Sequence, residues 1–205
     1  MRHAHPIHPG APEPTLTSDT HAPCRTPGPG DTPAISARGT LPSRPDGLAG
    51  FNAASPAEAM ELLLSCCRSL RWAERVVAHR PYPTVDALLA AADEAGYDLS
   101  RTDLDGALAA ECPAPPHPGA PPAARTALRA AHAAYESSFG HAFVISLDGV
   151  RPGERLDRVL TGIRSRLGNE PEEERVIAAE ELRRLARARL AFRMAERTAS
   201  GRSEP

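Results

Sequence analysis

At 205 residues and a formal net charge of -2, the chain is long enough for one domain and a tail, and its mixed charges leave no electrostatic footprint for nucleic acid or a membrane surface. All 24 basic residues are arginine. The missing lysine excludes Schiff-base chemistry by the protein, including the pyridoxal phosphate linkage.

No apolar run approaches the roughly 18 residues of a membrane helix, and the N-terminus lacks the apolar core of a signal peptide. Cys24, Cys66, Cys67 and Cys112 fall at no metal-ligand spacing, so reduced thiols, a cytoplasmic location and no bound metal are the expectation.

The first 45 residues hold 10 of the 22 prolines and 4 of the 8 histidines, with almost no periodic apolar pattern. Such a segment buries too little to offset its ordering entropy, so residues 1–46 are expected to be a disordered Pro/His-rich tail. His3, His5 and His8 have no cysteine or carboxylate partners at ligand spacing.

The folded domain is expected over residues 47–195, opening near Leu48 to Asn52, with a second tail at 196–205. Ser55-Pro56-Ala57-Glu58 combines a serine cap, proline at the first helical position and a glutamate that reaches back. Met60, Leu63, Leu64 and Cys67 supply the apolar face, with one of Cys66 and Cys67 expected in the core and the other at its margin. Ser69 caps a second helix with Leu70, Trp72, Ala73, Val76 and Val77 inward, which Arg80-Pro81-Tyr82-Pro83 ends. Thr84 caps a third, with Val85, Leu88, Leu89 and Ala92 inward and Gly96 closing it. Ser100 caps a fourth carrying Leu104, Ala107 and Leu108.

A proline-rich loop follows over residues 111–122, then a helix from about Ala123 that Phe139-Gly140 stops. Phe143-Val144-Ile145 is β-prone, apolar and too short for a helix, so it reads as a buried extended segment with no partner strand. Its backbone groups need partners, supplied either by side chains and loops or by a small polar ligand. Beyond the Asp148-Gly149 turn, Leu156, Val159, Leu160, Ile163 and Leu167 form a helical stripe. Pro171 opens the last helix, with Ile177, Leu182, Leu185, Ala186, Arg189 and Phe192 inward. The fold class is all-α, a compact bundle of about seven to eight short helices with one short buried extended segment.

The runs Phe51-Asn52, Leu63-Leu64-Ser65-Cys66-Cys67-Arg68-Ser69-Leu70-Arg71-Trp72-Ala73 and Arg80-Pro81-Tyr82 resemble the start of a 2-oxo-4-hydroxy-4-carboxy-5-ureidoimidazoline (OHCU) decarboxylase. So do Ala134-Tyr135-Glu136, Phe139-Gly140-His141-Ala142-Phe143-Val144-Ile145, and Arg164-Ser165-Arg166-Leu167-Gly168-Asn169 with Glu174. The order and spacing match over residues 47–193.

The resemblance implies a lyase of purine catabolism that decarboxylates a small ureidoimidazoline to (S)-allantoin. It also implies an all-helical homodimer with no cofactor. The substrate's ring and imine can hold the charge left as carbon dioxide departs. The protein's tasks are then to bind one conformer and deliver a proton to one face.

Carried over residue by residue, the substrate-binding positions are Phe143, Val144, Ile145, Ser146 and Leu147 through their backbone, Arg166 as a fork of donors, and Pro118 in the loop. Arg166 has a plainer alternative, capping a helix end or pairing with Glu170. The family's catalytic histidine, at the head of His-Pro-Arg, is replaced here by Glu111 in Glu111-Cys112-Pro113, and His117-Pro118 recurs six residues later. The family's glutamate has no counterpart, since residues 118–131 contain no acid.

Three readings of the loop stand side by side: His117 presented into the site, Glu111 acting as a carboxylic acid, or neither. His132 and His141, at no family catalytic position, are expected to be solvated or satisfied in the core. The alternative to an enzyme is a catalytically degenerate paralogue that binds a ureide or a partner protein.

Overall fold

The computed structural model describes residues 47–113, 116 and 119–200, with the side chains of the last helix through residue 195. All of the described residues belong to one compact unit. The expected N-terminal tail, His117 and Pro118 lie outside the described residues.

Among the described residues the fold is all-α. Eight helices follow in order: α1 (Gly47–Ala53), α2 (Pro56–Cys66), α3 (Leu70–Ala78), α4 (Val85–Tyr97), α5 (Arg101–Ala109), α6 (Pro122–Phe139), α7 (Arg155–Arg166) and α8 (Pro171–Ser200). No strand is present among those residues, and none of the helices is long and apolar enough to cross a membrane.

The four caps read from the sequence are formed. Ser55 accepts from the Glu58 amide at 3.3 Å while Glu58 takes the Ser55 N–H at 3.0 Å. Ser69, Thr84 and Ser100 accept from Trp72, Ala87 and Asp103 at 3.2, 3.1 and 3.2 Å. Each satisfies an amide that the first helical turn leaves unpaired. Gly140 ends α6 at φ +76°, its N–H bonding Glu136 O at 2.8 Å, in the left-handed conformation that favours glycine.

The early motifs meet in space. Asn52 and Tyr82 exchange two hydrogen bonds at 2.8 and 2.9 Å, and Arg80 donates to the free carbonyls of Phe51 and Ala54 at the end of α1.

Several inward positions are corrected. Leu70, the first residue of α3, is 58% exposed, because the helix buries Trp72, Ala73 and Val76 instead. Val85, at the start of α4, is also exposed. Cys66 and Cys67 are both buried, neither at a margin. Both are free thiols. Gly96 lies inside α4, which continues to Tyr97.

Phe192 is 59% exposed. The buried residues of α8 are Glu174, Ala178, Leu182, Ala186, Leu190 and Met194, one every four residues. Four residues exceed a 3.6-residue turn by about 40°, so this ladder winds round the helix and gives successive turns to different neighbours. Phe192 lies off it. The helix packs on α4, α1, α2 and α5 along its length.

Two apolar clusters result. The larger joins α1 to α5 with α8, and the smaller joins α6 and α7 around Leu128, Tyr135, Phe143, Val159 and Ile163. The extended segment runs between them. Phe143, Ile145 and Leu147 pack into the smaller cluster and Val144 into the larger, the alternation of an extended chain.

Helix α7 approaches this segment closely at Gly162. A Cβ there would sit 3.0 Å from Phe143 Cζ and 3.3 Å from Ile145 Cδ1. Gly106, in exposed mid-α5, has nothing within 4 Å. Alanine gains roughly 1 kcal/mol over glycine in a helix interior, while overpacking a rigid core costs about 1–3 kcal/mol. Gly106→Ala is therefore expected to raise stability in chemical denaturation and Gly162→Ala to lower it; equal gains would mean that Phe143 yields freely.

Candidate functional site

The site is built on the extended segment, and two charged side chains hold its backbone. Arg166, in the last turn of α7, donates Nη1 to Val144 O at 2.8 Å. Glu181, from mid-α8, accepts the Ser146 N–H at 2.7 Å. Side chains thus take up part of the backbone pairing that a partner strand would provide.

Arg166 is itself almost wholly engaged. Its Nε and Nη2 donate to Glu174 Oε1 at 2.8 and 2.5 Å, and Nη2 also reaches the Tyr135 hydroxyl at 3.3 Å. Tyr135 donates its hydroxyl hydrogen to the same carboxylate oxygen, and Asn169 Nδ2 donates to Oε2 at 2.8 Å. Arg166 is 8% exposed and Glu174 fully buried. The guanidinium lies 4.6 Å over the Phe143 ring, a cation–π arrangement.

Burial, then the bond to Glu174, pushes the Tyr135 hydroxyl well above the ordinary tyrosine range, which keeps it a donor. The sequence offers Glu170 as a partner for Arg166; the partner is Glu174, one helical turn further on. The signal was available, because Arg166, Asn169 and Glu174 stand in one quoted motif and the α7–α8 turn folds them together.

Glu111 is placed elsewhere, just past the end of α5. Both its oxygens accept from Arg189 of α8, at 2.9 Å each, and Arg189 also donates to Cys66 O at 3.0 Å. The hydrogen bond to Glu111 holds the Arg189 guanidinium above its usual range. This is the geometry of a two-point ion pair tying α2, α5 and α8 together. No carboxylate oxygen stands apart to carry and deliver a proton. Beside it, burial pushes the Cys67 thiol up to about 12, so it is not a nucleophile.

A cleft of about 410 Å³ opens beside the segment, against α7 and α8. Ile145, Ser146, Arg158, Glu181, Arg184 and Arg187 are among its lining residues. Arg184 pairs with Glu181 at 2.9 Å and Arg187 with Asp93. Among the described residues no group of three His, Cys, Asp or Glu is placed to hold a metal ion.

His132 departs from its expectation. It lies on the inner side of α6, one turn before Tyr135, and is 7% exposed. Both ring nitrogens are buried and lack a hydrogen-bond partner among the described residues. Its ring centroid is 6.3 Å from that of Phe143. It is neither solvated nor satisfied. His141 is half-buried, and its Nδ1 lies 3.0 Å from Ala142 O.

Removing one partner of a buried, hydrogen-bonded ion pair leaves an uncompensated charge and costs about 3–5 kcal/mol. Glu174→Gln, which preserves shape, is expected to lose stability on that scale in urea denaturation; a loss under about 1 kcal/mol would show that the pair does not hold the segment.

Burial, opposed by Glu136, lowers the His132 pKa below the ordinary 6.5. The unfolded chain therefore binds this proton more readily than the native one, so the native state loses stability as pH falls below 6.5. His132→Leu is expected to flatten that part of the stability profile, measured by melting temperature against pH. An unchanged slope would exclude His132 as its source.

Comparison with known proteins follows the same residues. The family model for OHCU decarboxylase matches residues 52–113 and 117–191, interrupted only within the proline-rich loop. Among solved structures, the chain is similar to an (S)-allantoin synthase at 19% identity and TM-score 0.56, covering 72% of this chain and 54% of that one. It is also similar to an OHCU decarboxylase in the presence of (S)-allantoin at 22% identity and TM-score 0.55, covering 64% and 96%. The chain thus spans about half the length of the first, and both likenesses are likenesses of fold. No curated protein matches. With the family match running through the capped helices, the extended segment and the Arg166–Glu174 turn, the chain belongs to the OHCU decarboxylase family.

Proposed function

We propose that this protein decarboxylates OHCU to (S)-allantoin in urate degradation, as a cytoplasmic, cofactor-free homodimer. The observation that carries the reading is the family match on both sides of the loop, since it takes in the whole described apparatus around residues 143–147. In this reading the substrate's ring and ureido groups bond to the backbone of Phe143, Val144, Ile145, Ser146 and Leu147, and Pro118 is a further substrate-binding position carried over from the family resemblance. Arg166 has one Nη1 hydrogen beyond its bond to Val144 O, enough to give the ligand a single hydrogen bond while keeping Glu174.

The proton falls to His117. The ion pair of Glu111 with Arg189 argues for the histidine over the carboxylate. An imidazole titrating near neutrality suits general acid work, and such a group contributes about 10²–10⁴-fold to turnover.

A second reading, a catalytically degenerate paralogue that retains ureide binding, is favoured by the occupied Glu111 and by the absence of any acid in residues 118–131. The two separate in one experiment. Circular dichroism is followed while urate is oxidised and hydrolysed by the two upstream activities, with and without this chain. An excess of (S)-allantoin above the racemic background, reduced about 10²–10⁴-fold by His117→Ala and little by Glu111→Gln, supports the enzyme and its donor. The reverse pattern assigns the proton to Glu111. No excess at all, with allantoin still bound, identifies the paralogue.

A further inference from the structure

Five charged side chains line the cleft beside the segment, and three of them are already committed. Glu181 places one oxygen on the Ser146 N–H at 2.7 Å and the other on Arg184 Nη1 at 2.9 Å. Arg184 also meets Glu180 through Nε at 3.3 Å, and Arg187 is held by Asp93 of α4. That leaves Arg158 of α7 and Asp148 of the turn after the segment. Both are exposed, and neither has a partner among the described residues.

Opposite charges that line one cleft without pairing describe a ligand with two ends. A guanidinium is a fork of donors that suits a carboxylate. A carboxylate in turn accepts two parallel N–H bonds, and the two N–H groups of a urea present such a pair. Ile145 and Ser146 line the same cleft, together with the short side chains of Ala188 and Ala191. Its volume of about 410 Å³ lies within the range of small-molecule sites.

We propose that this cleft reads an acidic ureide, Arg158 taking its carboxylate and Asp148 its urea N–H groups, as specificity-determining residues. The inference rests on the reading that residues 143–147 receive a ureide, and it adds the side chains that choose which ureide. A neutral ureide forfeits Arg158. A plain dicarboxylate meets Asp148 as a like charge. Because Arg158 is exposed and unbraced, its hold on an anion is loose and is screened by salt. Such a contact gathers the anion on entry without clamping it, and releases a product that has lost its carboxylate.

The test uses the full chain and three probes followed by NMR titration. They are hydantoin-5-acetate, a cyclic ureide with a carboxylate; hydantoin, the same ring without it; and succinate, with two carboxylates and no urea. The native chain is expected to bind hydantoin-5-acetate about fivefold more tightly than either of the others, the upper end for an exposed ion pair. High salt should erase the advantage over hydantoin. Arg158→Glu, which reverses the charge, is expected to weaken hydantoin-5-acetate about tenfold and to leave hydantoin within about twofold. Asp148→Ala should weaken both ureides and leave succinate no worse. In the circular dichroism assay Arg158→Glu should raise KM with little change in kcat, the mark of a contact made on binding.

Succinate bound as well as hydantoin-5-acetate would show a surface that only collects anions, and overturns the inference. So does hydantoin-5-acetate binding that Arg158→Glu leaves unmoved. A chain that yields an (S)-allantoin excess with KM untouched by Arg158→Glu overturns this inference alone. A native chain that binds neither ureide and yields no excess overturns the ureide reading itself, and this inference with it.

Discussion

The buried ion pair between Arg166 and Glu174 is the contact on which the extended segment depends. Two charges removed from water carry a desolvation penalty that their attraction alone does not reliably recover. Here further hydrogen bonds make up the difference: Tyr135 and Asn169 on the carboxylate, Val144 O on the guanidinium. Each partner comes from a different element, so the network fixes α6, the segment, the end of α7 and the start of α8 in one geometry. Its worth lies in that specificity more than in net stability, because well-packed apolar residues could supply stability as well.

The segment is possible because it borrows its partners. An isolated extended run in a helical protein has no neighbouring strand, yet its alternation of side chains still sorts them to two sides. Phe143, Ile145 and Leu147 face the α6–α7 cluster and Val144 the α8 side, so it seals one core against the other. Gly162 allows α7 to lie against the ring of Phe143, which in turn lets Arg166 reach the carbonyl of Val144.

Much of this was legible in the sequence. The four Ser/Thr caps, the glycine stop at Gly140 and the stripe of α7 carry local signals, and local signals survive folding because they describe contacts three or four residues apart. The extended segment was legible from Phe143-Val144-Ile145 for the same reason. What failed depends on tertiary contacts. Leu70 and Phe192 have apolar side chains at plausible spacing, but nothing local says that α8 buries a four-residue ladder that leaves Phe192 outside. The partner of Arg166 was misjudged because Glu170 is nearer in sequence, whereas the turn before α8 brings Glu174 back across it. A helix histidine is ordinarily solvated or satisfied in the core, and nothing local to His132 shows that the segment packs upon α6 and buries it.

The distribution of polar groups around the segment argues for a division of labour. Glu111 and Arg189 close on each other, as do Glu174 and Arg166, so the two carboxylates nearest the family motifs act within the protein. Charges already satisfied internally need not reorganise when a ligand arrives, and such preorganised frameworks are where electrostatic stabilisation is most effective. In the proposed reading the groups left for recognition are the backbone of the segment and the one remaining Nη1 hydrogen of Arg166. Neutral donors and acceptors in fixed positions suit a ureide, whose atoms alternate donor and acceptor. In that proposed reaction the departing carboxylate needs no strong cation either, since a tight clamp on it would stabilise the ground state against the loss of carbon dioxide.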